Sequence, residues 1–213
     1  MVGKRTYGDP CGIARALDAV GERWALLVVR ELLLGPKRFT DLRTGLPNVG
    51  PDVLSQRLRE LEDAGVVRRA KLPPPAASRV YELTERGRKL EPVVLALGRW
   101  GSQEPFPAEP GELGIDALML ALKTLFDPVR ADPLMEMSFG LQLGEQRFEV
   151  RVTEGGLAVE RGPAQYAFAS IATDAATLQQ VLWHGRRVRD APLTIAGDRR
   201  AGEQFLTLFP LPE

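Results

Sequence analysis

The sequence predicts an α+β protein in two parts, a mainly helical first half carrying one β-hairpin and a second half built on a mostly antiparallel sheet. Three observations predict it. Apolar residues recur at helical spacing up to about residue 64. They then change to two short alternating runs around "PPPAA", and beyond "PFPAEPGELG" they alternate along strands. A chain of 213 residues exceeds the usual single domain, and we read it as residues 1–104, a proline-rich linker at 105–111, and residues 112–213.

The elements follow in order. "GIARALDAV" reads as a helix near residues 11–20, and Glu22 to Leu34 as a strongly apolar core helix stopped by Gly35-Pro36. "RFTDLRTGLP" reads as a short helix with Thr40 as N-cap and Pro47 as its stop. Pro51 suits the first position of the next helix, "PDVLSQRLRELED", and Gly65 its C-cap. In that helix Leu54, Leu58 and Leu61 form an apolar stripe with Val53 beside it. Asp52, Gln56 and Arg59 point away, with Ser55 at the margin. "VVRRAKL" and "SRVYELT" make a hairpin, which is marginal alone and must lean on the helices. A helix from Arg86 to Gln103 then sets Leu90, Val93, Val94, Leu97 and Trp100 on one side.

In the second half, "GIDALMLALKTLF" reads as a buried helix. Met135, Met137, Phe139, Leu141 and Leu143 alternate as one strand, and Phe148, Val150 and Val152 as another. "GLAVERG" and "YAFASIA" follow as strands. "TDAATLQQVLWHG" is a helix opening at Thr173-Asp174 and stopping at Gly185; "PLTIAG" is a strand, and Asp198 caps a closing helix.

Composition narrows the function. Hydrophobic residues are 44% and charged residues 26% of the chain, and no apolar run approaches the ~20 residues of a membrane span, so no membrane insertion is expected. The start lacks the apolar core of a secretory signal, and a single Cys11 excludes an internal disulfide framework; both point to the cytoplasm. The net charge of zero joins unlike halves: residues 1–105 hold 18 Lys and Arg against 13 Asp and Glu, residues 106–213 hold 10 against 15. A basic first half is suited to a polyanion.

The order helix, helix, turn, helix, hairpin, helix is that of a winged helix-turn-helix, in which the helix carrying the leucine stripe presents its polar face to the major groove of duplex DNA. Gln56 and Arg59 then suit adenine and guanine edges, Ser55 a base or phosphate, and Asp52 shares their face. Arg68, Arg69, Lys71 and Arg79 on the hairpin suit phosphates, as do Lys37 and Arg38 ahead of the bracing helix. Arg57 falls on the other flank and is expected to pack or form an internal ion pair.

"CGIARALDAVGERWALLVVRELLLGPKRFTDLRTGLPNVGPDVLSQRLRELEDAGVVRR" with "YELTERG" resembles the HxlR family of bacterial transcriptional regulators, relatives of the MarR group, over about residues 8–103. The resemblance implies a homodimer built by the first and last helices of the module, with two half-sites in adjacent major-groove turns. It also implies a cysteine before the first helix, here Cys11, which some members use as a redox sensor. A partly buried structural thiol is the other reading of Cys11. The apolar stripe of the last helix points independently to a dimer, or to burial against the second domain.

The second half offers no catalytic or metal-ligating set, and no cofactor is expected. His184 is the only histidine, at a helix end; Ser138 and Ser170 lack a nucleophile elbow; "GDRRAG" is too short for a phosphate loop. "TDAATLQQVLWHG", "LTIAGD" and "FLTLFP" resemble the sterol-carrier-protein type 2 fold, and that resemblance implies a site for a lipid-like or other apolar effector. Leu118, Met119, Leu122, Met135, Met137 and Phe139 are its candidate lining. Three functions stand: an effector-controlled DNA-binding regulator, a carrier or enzyme of apolar molecules scaffolded by the first domain, and a thiol switch through Cys11.

Overall fold

The structure, a computed structural model, describes residues 6–73, 77–104 and 113–212. The chain divides into two units, Met1–Val94 and Leu95–Glu213, upstream of the boundary read from the sequence. The expected linker at 105–111 and residues 74–76 of the hairpin tip lie outside the described residues.

The first unit comprises α1 (Gly12–Val20), α2 (Ala25–Leu32), α3 (Phe39–Gly45), α4 (Pro51–Asp63), β1 (Val67–Lys71), β2 (Arg79–Leu83) and α5 (Glu85–Arg88), and the division falls inside α6 (Glu91–Gly101). Val28, Val29, Leu42, Leu54 and Leu61 are fully buried and Leu58 nearly so. Sinking each leucine of the α4 stripe contributes about 1.5–3 kcal/mol before the entropy of ordering is set against it. Pro51 stands at the first helical turn of α4, and Gly65, at φ +67°, supplies the left-handed residue beyond its C-cap Ala64.

Three local expectations are corrected. The second helix begins at Ala25 rather than Glu22, because Trp24 takes φ +77°, a backbone shape that cannot lie within a right-handed helix. Thr40 is not the N-cap of α3: Arg38 holds that position, and the carboxylate of Asp41 accepts from the Arg38 N–H at 3.0 Å, closing the first turn. The expected continuous helix from Arg86 to Gln103 breaks into α5 and α6 around Lys89–Leu90, where Pro92 can give no hydrogen bond to the turn before it.

β1 and β2 pair antiparallel from Val67↔Leu83 to Lys71↔Arg79, with Val67, Val80 and Leu83 buried. A third, one-residue strand joins them. Lys37 N–H donates to the Tyr81 carbonyl at 2.9 Å and Tyr81 N–H to the Lys37 carbonyl at 2.8 Å.

The second unit comprises α7 (Ile115–Leu125), α8 (Pro128–Ala131), β3 (Ser138–Leu143), β4 (Gln146–Thr153), β5 (Gly156–Arg161), β6 (Ala169–Thr173), α9 (Ala175–Trp183), β7 (Thr194–Gly197) and α10 (Arg199–Phe205). Its five-stranded sheet runs β5-β4-β3-β6-β7, antiparallel except for the parallel pair β3–β6. α7 packs on β5 and α9, and α10 on β6 and β7. Phe205 stacks on Phe139 with centroids 4.5 Å apart and meets Phe209 edge-on at 5.2 Å. Asp174 and Asp198 cap α9 and α10, accepting from Thr177 N–H at 2.7 Å and Ala201 N–H at 3.0 Å. Met135 and Met137 precede β3 rather than belonging to it, since Glu136 between them takes φ +61°, which no strand accommodates.

Candidate nucleic-acid interface

The leucine stripe of α4 is sunk in the core, so the geometry of a helix turns Asp52, Gln56 and Arg59 outward, where all three are exposed, with Ser55 half-buried beside them. Val53 does not join the stripe: it is 43% exposed, about 100° around the helix from Leu54. Gln56 Nε2 donates to Glu60 Oε1 at 2.9 Å, while Glu60 Oε2 accepts from Arg57. Arg57 is buried, as the sequence leads one to expect, and also faces Glu22 at 3.6 Å.

The hairpin flanks this helix with cations of two kinds. Arg68 pairs with Glu82 at 2.7 Å and Arg69 with Glu62, at the end of α4, at 2.9 Å. The hydrogen bond from Arg69 to Glu62 holds the Arg69 guanidinium above its ordinary pKa, and that guanidinium also lies 5.8 Å over the Tyr81 ring. Lys71 and Arg79 are exposed and stand opposite each other across the hairpin, next to its tip. The wing therefore presents two cations held by carboxylates and a cross-strand pair turned to solvent.

Ahead of α3, Arg38 is exposed. Lys37 is placed differently from the expectation of a phosphate contact. Its side chain is only 15% exposed and its ammonium reaches Glu31 Oε2 at 2.5 Å; the Glu31 side chain is 2% exposed, and its carboxylate also accepts from Arg30 at 2.8 Å. Lys37 thus serves a buried ion-pair network joining α2 to the backbone bridge with Tyr81. A buried carboxylate needs such partners, because an unpaired charge there would cost several kcal/mol.

Elsewhere, Cys11 is exposed immediately before α1, its N–H donating to Asp9 Oδ1 at 2.8 Å. On α1 Ile13 and Leu17 are exposed, and on α6 Val93, Leu97 and Trp100, whereas Leu90 and Val94 pack on the first unit's core. Of the candidate effector lining, Leu118, Met119, Leu122 and Phe139 are buried in the second unit, and Met135 and Met137 are half-buried. Ser138 donates to Glu149 Oε1 at 2.7 Å, and His184 ends α9 as its C-cap. Among the described residues no group of three His, Cys, Asp or Glu is arranged to hold a metal, and no helix is long and apolar enough to cross a membrane.

The carboxylates are the part that the sequence pattern does not announce. Glu31, Glu60, Glu62 and Glu82 each hold a cation or amide of this region, and Glu60 alone carries a local sign of it, in its i, i+4 spacing from Gln56 and i, i+3 spacing from Arg57.

A helix with an exposed polar face, a bracing helix before it and a basic hairpin after it define a winged helix-turn-helix module. Residues 19–107 match the model of the HxlR-like helix-turn-helix family. The HTH-type transcriptional regulator YvaP of Bacillus subtilis is 38% identical over 89 residues, which are 42% of this chain and 82% of YvaP. YodB of the same organism, also an HTH-type transcriptional regulator, is 35% identical over 97 residues, 46% of this chain and 84% of its own. Among solved structures, the redox regulator HypR in its oxidised form covers 46% of this chain and all of its own, at 34% identity and a TM-score of 0.42. The chain belongs to the HxlR-like helix-turn-helix family of transcriptional regulators through its first half.

Proposed function

We propose that the protein is a transcriptional regulator that binds duplex DNA as a homodimer, one α4 helix entering the major groove at each of two half-sites. The observation that carries this reading is the outward face of Asp52, Ser55, Gln56 and Arg59 on a helix whose other side is locked in the core, flanked by Lys71 and Arg79. Arg59 reads a guanine and Gln56 an adenine, while Arg38, Arg68, Arg69, Lys71 and Arg79 hold phosphates. Arg68 and Arg69 exchange their carboxylate partners for phosphate on binding, a small cost because both pairs are exposed and screened by solvent. The exposed Ile13, Leu17, Val93, Leu97 and Trp100 supply apolar surface for the dimer. The second unit takes an apolar effector, a reading supported by its sheet with helices packed against it and by the aliphatic and aromatic side chains of Leu118, Met119, Leu122, Met135, Met137 and Phe139. Control requires that the effector bind DNA-competent and incompetent dimers with different affinity.

The test is a mobility shift on a duplex from beside the protein's own gene. Binding at nanomolar to micromolar protein, weakening steeply with salt, supports the reading. Equal, weak binding to every duplex rejects it. Native mass spectrometry of the purified protein tests the effector, a co-purifying apolar compound being the expected result.

The exposure of the Cys11 thiol favours a second control, oxidation that changes DNA affinity. An oxidant that shifts affinity in wild type but not in Cys11→Ser supports it, and an equal response of both removes it.

A further inference from the structure

We propose that α4 is built to read an A·T step, with Gln56 on the adenine, Val53 on a neighbouring thymine methyl, and Glu60 as the residue that orients Gln56. The proposal rests on α4 entering the major groove, as inferred above.

A free glutamine amide can present its oxygen or its nitrogen to a base, and it loses rotamer entropy when it commits. Here Glu60 Oε1 accepts from Gln56 Nε2 at 2.9 Å. A carboxylate accepts and cannot donate, so this contact decides which end of the amide is nitrogen. One N–H is used; Oε1 and the second N–H remain. These are the acceptor and donor that match adenine N6–H and N7 in the major groove.

Glu60 is itself held. Its Oε2 accepts from Arg57, which is buried and also faces Glu22 at 3.6 Å, in the turn between α1 and α2. A chain of contacts therefore runs from the fixed interior to the amide at the surface. Without it Glu60 would be an acidic group on a DNA-facing helix, where its charge opposes phosphate.

Val53 lies three residues before Gln56 on the same flank, 43% exposed in the N-terminal half of the helix. Residues of that half reach base edges in a helix-turn-helix, and an apolar side chain there meets the 5-methyl group of thymine.

The test uses the full-length protein. A duplex enriched from a random library by wild type is resynthesised with single adenines replaced by 7-deazaadenine, which lacks N7, and single thymines by deoxyuridine, which lacks the methyl. One 7-deazaadenine should weaken wild type on the order of tenfold and leave Gln56→Ala unaffected. One deoxyuridine should weaken wild type by roughly threefold and leave Val53→Ala unaffected.

Glu60 is tested by two substitutions of similar length, Glu60→Gln and Glu60→Met. Both deprive Arg57 of its carboxylate; Gln can donate to Gln56 as well as accept from it and so fixes its amide only in part, and Met fixes it not at all. The 7-deazaadenine penalty should fall from wild type to Glu60→Gln and be smallest in Glu60→Met, while affinity for random duplex holds or rises in both. A wild-type penalty in Glu60→Met overturns the role of Glu60. An enriched duplex in which every adenine and thymine can be replaced without loss to wild type overturns the whole inference and leaves the regulator reading standing. If wild type enriches no duplex, the regulator reading falls first.

Discussion

Gly45→Ala is the most informative single change in the first unit. A Cβ built on Gly45, in the last turn of α3, would lie 2.1 Å from Glu31 Oε2 and 2.7 Å from its Cδ. That oxygen accepts the Lys37 ammonium, so the carboxylate must swing away and the Lys37 contact goes with it. Losing one partner of a buried ion pair costs roughly 3–5 kcal/mol. Glu31 keeps Arg30, which places the cost at the lower end, and alanine in place of glycine in a helix returns about 1 kcal/mol. The net expectation is a loss of about 2 kcal/mol, on the order of 10 °C in the thermal midpoint of a unit this size. Thermal unfolding by circular dichroism measures it. The DNA affinity should fall too, because Lys37 pairs through its backbone with Tyr81 and so fixes the hairpin beside α4. A variant as stable as wild type would show that Glu31 relaxes without giving up Lys37, and the network would then have no hold on the wing.

Other perturbations separate the remaining parts of the interface. Arg59→Ala should cost about 1–3 kcal/mol on the specific duplex and little on random DNA, whereas Lys71→Ala should weaken all duplexes alike and lower the salt slope by about 1; equal effects of both on both duplexes would refute that division. Trp100→Glu should shift the protein toward monomer in analytical ultracentrifugation, and an unchanged mass would remove Trp100 from the dimer contact. Asp174→Ala should cost about 1 kcal/mol at neutral pH by removing the cap of α9. The Thr177 N–H holds the Asp174 carboxyl below its ordinary pKa, so the wild-type advantage is complete above the usual carboxylate range and fades as pH falls through that lowered value. Urea titrations of both proteins at neutral pH and near pH 3 would show it, and a difference that grows on acidification would contradict it.

The sequence made the framework legible where the physics is local. The leucine stripe of α4, Pro51 and Gly65 at its ends, the aspartate caps at Asp174 and Asp198, and the alternation of Phe148, Val150 and Val152 all depend on residues within a turn or two of each other, and all stand as expected. The sequence pattern places Trp24 in a helix and Glu136 in a strand, because a left-handed backbone leaves no mark in a residue type that does not favour it. From sequence Lys37 reads as a phosphate contact, as cations near a helix-turn-helix do; only the fold reveals that Glu31 lies within reach of its ammonium. Hydrophobicity alone groups Val53 with its leucine neighbours, although one helical step carries it off the stripe. The candidate interface is therefore legible as a set of outward residues and largely illegible as an electrostatic arrangement, since Glu31, Glu62 and Glu82 each reach their cation from another element, and Glu60 alone acts within α4.

Methylation interference on a selected duplex addresses the central claim most directly, because dimethyl sulfate marks guanine N7 in the major groove and adenine N3 in the minor groove. Insertion of α4 from two protomers predicts that guanine N7 methylation blocks binding in two clusters about one helical turn apart, and that Arg59→Ala becomes insensitive at one guanine in each. Interference confined to adenine N3, or absent from both grooves, would contradict it.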